Sequence, residues 1–418
     1  MNLWQYQKMD NYKCRFCSCE IKSVFVDLGI SPLSNSFLKY ENLKDLEKKF
    51  PLKVLVCKNC FLVQLPEFET PQNIFKEYVY FSSYSKSWLN HAENYANMIL
   101  KKNNLGKDNL VIELASNDGY LLQFFKNNGI QVTGIEPAAN VAKVAEGKGI
   151  KTIVDFFGEE LATKLSNKGT KADLIIGNNV LAHVPDINDF VKGISILLKA
   201  NGTINMEFPH LLQLIKNNQF DTIYHEHFSY LSLNTVKQIF ECHNLIIFDV
   251  EEISTHGGSL RIYAKHKTNE NFEIKNSINS LLEKEKDFGL MNLSFYLEFS
   301  RKVKLVKKEL IEFFNNAKQN GKKIVCYGAA AKGNTLLNFC GIGKENVEYV
   351  VDKNPHKQGL YLPGSHLAIK KPEEIKKSKP DFVVILPWNI KEEIMEENSF
   401  IRDWGGKFVI PIPEVVVV

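Results

Sequence analysis

Four side chains competent in proton transfer stand in a row at Tyr224-His225-Glu226-His227. Histidine changes charge near neutral pH, and a neighbouring carboxylate can orient it or raise its basicity, so the run suits general acid–base work. It follows Phe208-Pro209-His210, at the C-terminal end of an expected strand, the edge where open α/β sheets place reactive groups. A capping or core-packing histidine cluster and a His-x-His metal site are the other readings of the same residues. His183, in Asn178-Asn179-Val180-Leu181-Ala182-His183-Val184-Pro185, is a second candidate base or substrate ligand, and a loop histidine before Val-Pro equally suits a structural role.

Cys14-Arg15-Phe16-Cys17 and Cys57-Lys58-Asn59-Cys60 form two CxxC knuckles. Four thiolates close a tetrahedral Zn²⁺ site with no position left for water, which makes the metal structural. A redox pair or reduced, metal-free thiols are the alternatives. Cys19, beside the first knuckle, is a spare thiol or a substitute ligand.

Val111-Ile112-Glu113-Leu114-Ala115-Ser116-Asn117-Asp118-Gly119-Tyr120, with Gly134-Ile135-Glu136-Pro137 after it, reads as a strand, a tight turn, a helix and a second strand ending in an acid. That arrangement holds a nucleoside: small turn residues let the ligand approach the backbone, and a carboxylate at the next strand tip accepts both ribose hydroxyls. The turn lacks GxGxxG, so an adenosyl ligand with a sulfonium, S-adenosylmethionine, fits better than a dinucleotide. Glu113, Ala115, Asn117, Gly119, Tyr120, Glu136 and Pro137 are its expected contacts. Asp155 and Phe156 are placed to meet the adenine amine and ring, and Asn178 and Asn179 to line the methyl-donor pocket. Tyr78, Tyr80, Ser82 and Ser83 are candidates to cover that pocket, with core packing of the tyrosines as the alternative.

The elements that must position these residues fall into zones. At 418 residues the chain exceeds a single core. Residues 1–75 are turn-rich, with apolar runs at Val24–Leu28 and Leu52–Val56 that suit two ribbons held by the metal. Residues 76–267 alternate strand and helix through five strands and close with a pair at Leu245–Val250 and Leu260–Lys265. That is the order of a class I methyltransferase sheet. Residues 268–320 have helical periodicity, with Phe299, Val303, Val306 and Leu310 on one face, and read as connecting helices. Residues 321–418 restart an α/β unit with Gly328-Ala329-Ala330-Ala331-Lys332-Gly333 after its first strand. The expected fold is therefore α/β: a doubly wound methyltransferase sheet with an N-terminal zinc-binding domain and a C-terminal Rossmann-like domain. The net charge of +4, with both signs interspersed, gives no basic face for nucleic acid. No stretch reaches the roughly 18 apolar residues of a membrane span. A cytoplasmic protein, monomeric or weakly self-associating, is expected.

Taken together and in this order, the CxxC pairs, Glu113-Leu114-Ala115-Ser116-Asn117-Asp118-Gly119, Gly134-Ile135-Glu136-Pro137, Asn179-Val180-Leu181-Ala182-His183, Tyr224-His225-Glu226-His227, His256-Gly257-Gly258-Ser259-Leu260-Arg261 and Tyr327-Gly328-Ala329-Ala330-Ala331-Lys332-Gly333-Asn334 resemble the sugar C-methyltransferases. The likeness runs from about Cys14 to the C-terminus, with Cys19 and the Tyr78 match outside its firmest part. It implies methylation of C3 in a nucleotide-linked 4-keto deoxysugar in its dTDP, GDP or CDP form. It also implies His227 as general base, Glu226 and Tyr224 assisting, and His183 and Tyr78 facing the sugar. Tyr80, Ser82 and His225 join the substrate side, while Gly328, Ala330, Lys332 and Asn334 would hold the nucleotide diphosphate. Competing functions are an O- or N-methyltransferase, a zinc-ribbon RNA protein, and an NAD enzyme using Gly328–Asp352, in which Ala330 would crowd the pyrophosphate.

Overall fold

In the computed structural model, residues 12–75, 81–84 and 86–418 are described. The first sheet comes from the cysteine-bearing segment: β1 (Ser23–Ser31) and β2 (Phe50–Val56) pair antiparallel, and β3 (Val63–Gln64) extends them. The second is built on β4 (Leu110–Leu114), β5 (Gln131–Ile135), β6 (Thr152–Ile153), β7 (Ala172–Asn178) and β8 (Leu198–Pro209), all parallel. Between β8 and the central sheet's last pair lies β9 (Ser229–Tyr230), which instead crosses to the first sheet and pairs with β3. The closing pair is β10 (Leu245–Ile253) and β11 (Ser259–His266), with β11 inserted antiparallel beside β8. The resulting order, β10-β11-β8-β7-β4-β5-β6, is the class I methyltransferase sheet. It reverses direction at β4, which puts the ligand crevice at the carboxyl ends of β4 and β7.

The third sheet has the order β14-β13-β12-β15-β16-β17. Its strands are β12 (Ile324–Tyr327), β13 (Val350–Val351), β14 (Ile369–Lys370), β15 (Phe382–Ile385), β16 (Lys407–Ile410) and β17 (Val416–Val417). All but the last pair run parallel, as in a Rossmann-like unit. β4 and β12 are short strands buried along nearly their whole length in the middle of their sheets, and such strands need no polar alternation.

The apolar runs Ile150–Val154 and Val347–Asp352 each read from the sequence as a full strand, yet only β6 and β13 form within them. β6 is an edge strand paired on one side, and Val154 beyond it is half exposed, so neither partner nor core extends it.

The ribbon of β1 and β2 does form, yet its apolar side chains enter larger cores. The helix Leu293–Gln319 buries Tyr296, Phe299, Val303, Val306, Leu310 and Phe314 at spacings of three and four residues, and packs this stripe on β1. Phe25 stacks on Phe299 with ring centres 4.6 Å apart and planes 4° apart. That same core continues into the strands of the third sheet. The metal-binding segment is therefore wedged between the other two units. Among the described residues no helix is long and apolar enough to cross a membrane.

Candidate functional site

The four knuckle sulfurs lie within 4.8 Å of one another, with Cys14 to Cys60 and Cys17 to Cys57 both at 3.5 Å. A disulfide would hold sulfurs at about 2.05 Å, whereas four bonds of about 2.3 Å to one tetrahedral Zn²⁺ hold them just under about 4 Å apart. Gln64 Nε2 donates to Cys14 Sγ (3.2 Å) and Asn59 N to Cys57 Sγ (3.4 Å), supporting thiolate charge from outside. Ser18 and Phe61, each following a knuckle, take the left-handed φ values of 60° and 59° that turn the chain around a metal. Cys19 stands outside the four.

At the carboxyl end of β4 the chain turns through Ala115, Asn117 and Gly119 with φ of 54°, 49° and 74°. Positive φ at a non-glycine residue is sparsely populated and persists only where surroundings enforce it. Here the end of β5 enforces it: Ser116 N donates to Ile135 O (3.2 Å), and Asn117 N to Glu136 Oε2 (2.9 Å). Ala138 N donates to the other Glu136 oxygen (2.8 Å). The carboxylate is thereby fixed in orientation, with lone-pair directions left for further donors. Burial raises the Glu136 pKa. Glu113 is raised well above the usual carboxyl range, first by burial and then by the Asp118 and Glu136 charges. Glu113 Oε2, Asp118 Oδ1, Asn178 Nδ2 and Asn179 Oδ1 are buried and have no hydrogen-bond partner among the described residues. Orphaned polar atoms gathered at a switch point fit a polar ligand such as S-adenosylmethionine, whose ammonium and hydroxyls would satisfy them.

Ser82 N donates to Asn117 Oδ1 (3.0 Å), and Lys148 Nζ joins Ser83 Oγ (2.8 Å) to Asp118 O (2.7 Å), so this short segment closes over the turn. Ser82 thus meets the turn after β4. Tyr120 is buried under Trp88, and Pro137 is half-buried at the β5 tip. Asp155 and Phe156 are exposed past β6, and Asp155 Oδ1 accepts the Phe156 amide. Tyr78 and Tyr80 lie outside the described residues.

The imidazoles converge. The His227 ring centre is 4.6 Å from His183 and 4.0 Å from Tyr224. Phe228 N donates to Ala182 O (2.8 Å), tying the two loops together. His227 Nδ1 is 2.7 Å from Thr222 O. Burial, then the His183 ring, hold the His227 pKa well below its usual value; burial brings His183 to about 4.

The four residues of Tyr224-His225-Glu226-His227 face different ways. His225 is buried against Phe50 and lies 3.2 Å from Pro51 O, so it anchors the metal-binding domain and is not turned to the imidazole cluster. Glu226 Oε1 accepts from Asn35 Nδ2 at 2.6 Å. Burial pushes Glu226 up to about 7, opposed by the Asn35 bond and the Lys357 charge.

The Gly328–Gly333 turn departs most from expectation. Gly328 N bonds Val351 O (2.7 Å), Ala329 N bonds Asp352 Oδ2 (2.7 Å), and Ala329 O accepts from Lys357 (2.8 Å), so the first two residues of the expected cradle are committed inside their own domain. A Cβ on Gly328, at φ 91°, would lie 2.5 Å from Pro387. Asn334 is buried and donates to Ser34 O (3.2 Å), a domain fastening in place of a phosphate contact. Ala330 caps the helix Ala331–Cys340. Lys332 Nζ is held by Asn389 Oδ1 (2.7 Å) over the Trp388 ring, whose Nε1 donates to Asp221 Oδ2 (2.7 Å). Burial lowers the Lys332 pKa, and its charge in turn depresses His227 and His256. The ammonium therefore belongs to the junction beside the imidazoles.

His256 joins from the β10–β11 turn: its Nε2 is 3.0 Å from Asn179 Nδ2 and its ring 5.1 Å from Trp88. Behind it, fully buried Glu207 is kept ionised against the cost of burial by His91 (3.0 Å) and Arg261 (3.0 Å). Both His256 and Arg261 stand in a motif visible in the sequence, whereas Asn35, Asp221 and Trp388 carry no local signal.

Three family models match: a zinc binding domain over residues 14–75, a methyltransferase domain over 90–248, and a C-methyltransferase C-terminal domain over 254–413. The C-methyltransferase NovU of Streptomyces niveus is 34% identical over 406 residues, spanning 97% of this chain and 96% of NovU. The chain belongs to the C-methyltransferase family. Among solved structures, magnesium protoporphyrin IX methyltransferase of Synechocystis PCC 6803 with bound SAM is 15% identical, with TM-score 0.33, over 42% of this chain and 78% of that one. PH0226 of Pyrococcus horikoshii OT3 is 16% identical, with TM-score 0.38, over 48% and 99%. This C-methyltransferase uses S-adenosylmethionine as donor and carries zinc in its knuckles.

Proposed function

We propose that the enzyme methylates the ring carbon beside the ketone of a nucleotide-linked 4-keto deoxysugar, C3 in the reading that the sequence resemblance favours. The supporting observation is the 2.7 Å contact of His227 Nδ1 with Thr222 O. A carbonyl only accepts, so Nδ1 carries the proton and Nε2 presents a lone pair. The depressed pKa keeps that lone pair free at neutral pH. His227 Nε2 takes the proton from carbon, and the C–H electron pair moves into the enolate. Tyr224 or His183 donates to the ketone oxygen as charge grows, helped by the Lys332 ammonium in the same junction. S-adenosylmethionine supplies a methyl group already activated on a sulfonium. Glu113 would meet its ammonium and Glu136 its ribose hydroxyls.

In this reading residues 1–75 bind zinc, 76–267 the donor, 268–320 connect, and 321–418 hold the nucleotide diphosphate, with Ala330 at the start of a helix whose first amides suit an anion, while Lys332 serves the imidazole junction. The test is incubation with S-adenosylmethionine and dTDP-, GDP- or CDP-linked 4-keto deoxysugars in D₂O. The expected product gains one methylene, and the carbon beside the ketone takes up deuterium even without donor. Methyl transfer to an oxygen, or to a sugar lacking the ketone, would overturn the assignment.

A further inference from the structure

Arg15 lies inside the first knuckle, between Cys14 and Cys17, yet its side chain reaches both loops that carry the imidazoles. Its Nη1 donates to Pro185 O at 2.8 Å, two residues past His183. Its guanidinium lies over the Phe228 ring, 5.5 Å from the centre and one residue past His227. Nη2 reaches Leu65 O (2.5 Å) and the Tyr12 hydroxyl (2.9 Å). The backbone is held as firmly: Arg15 N donates to Gln64 Oε1 (2.9 Å), and Asn188 Nδ2 donates to the carbonyls of Arg15 (3.1 Å) and Phe16 (2.9 Å). Gln64 in turn bonds Cys14 Sγ and pairs with Ser229 across β3 and β9. A planar guanidinium can serve three acceptors and an aromatic face at once, which an ammonium cannot.

We propose that Arg15 is a positioning residue that transmits the rigidity of the zinc knuckle to the His183 and His227 loops and sets the separation of the two rings. Zinc acts at a distance from the chemistry in this scheme: four metal–sulfur bonds fix the knuckle, and the Arg15 side chain carries that fixed point to Pro185 and Phe228. The kinetic part rests on the proposed function of these loops; the structural part does not.

The test compares full-length, zinc-loaded wild type with Arg15→Ala and Arg15→Lys by amide hydrogen exchange, zinc content and S-adenosylmethionine affinity. Expected is one zinc per chain and donor affinity within about twofold of wild type, with exchange at residues 180–186 and 224–230 faster by about tenfold in Arg15→Ala and by less in Arg15→Lys, while β4 and β5 are unchanged. On the keto-sugar substrate, kcat falls by about tenfold with KM for the donor unchanged. Unaltered exchange in both loops in either soluble variant overturns the proposal. Faster exchange that appears only together with zinc loss also overturns it, since Arg15 would then serve the metal site alone. If wild type turns over no keto sugar, exchange still decides the positioning role, and only the proposed substrate fails.

Discussion

Asn35→Ala isolates one hydrogen bond at the junction of the three units. Glu226 is 4% exposed, and its carboxyl is pushed up to about 7 by burial, against the opposing Asn35 bond of 2.6 Å and the Lys357 charge. A hydrogen bond to a charged group contributes about 1.5–3 kcal/mol, and one pKa unit corresponds to about 1.4 kcal/mol. Removing Asn35 should therefore raise Glu226 by about 1–2 units. If ionised Glu226 assists His227, the acid limb of the kcat profile moves from near 7 to about 8–9, so that the rate at pH 7 drops about 5- to 50-fold and recovers at alkaline pH. His183, at about 4, and His227, lower than its usual value, leave that limb clear of histidine titration. Stability follows the same linkage with a definite sign. The folded pKa of Glu226 lies above the unfolded value, so the folded state binds more protons and stability declines as pH rises from about 4 toward 7. In the variant that decline continues through about pH 9. An acid limb that stays in place in Asn35→Ala, measured by initial rates between about pH 6 and 10, would refute the assignment of Glu226.

His227→Asn should lower turnover by about 10²–10⁴-fold while calorimetric affinity for S-adenosylmethionine stays at the wild-type value; near-normal rates would move the base to His183 or Glu226. Cys57→Ser should abolish stoichiometric zinc by elemental analysis and lower the unfolding midpoint, because the two knuckles lose the metal that ties them together while the ribbon keeps its apolar core. Trp388→Phe removes the N–H that reaches buried Asp221, whose pKa burial already lifts to about 6. Urea denaturation should show a loss of about 1.5–3 kcal/mol from that bond above pH 7, smaller at about pH 5 where the carboxyl is protonated.

How much of this was legible before folding depends on how local each signal is. The clustered cysteines are four residues in two fixed spacings, and the turn after β4 is a strand, a turn and an acid within one α/β unit, so residue types and short spacings suffice to place them. The strands β6 and β13 were overdrawn because an apolar run does not reveal whether it has one neighbour or two. β9 gave no signal: two residues become a strand only because β3 passes beside them.

The sequence by itself determined that this chain has a closed thiolate site, a methyltransferase sheet, a second α/β unit and a dense proton-transfer motif. Tertiary structure alone decided where that motif points. Adjacent side chains along an extended loop diverge, so His225 meets Pro51, Glu226 meets Asn35, and His227 meets His183 and Tyr224. Lys332 looks like a phosphate ligand by its turn, but the packing of Trp388 on Gly257, where a Cβ would lie 2.6 Å from the ring, brings its charge to the imidazoles. Direction and desolvation come from neighbours distant in the chain, and they set which nitrogen holds a proton.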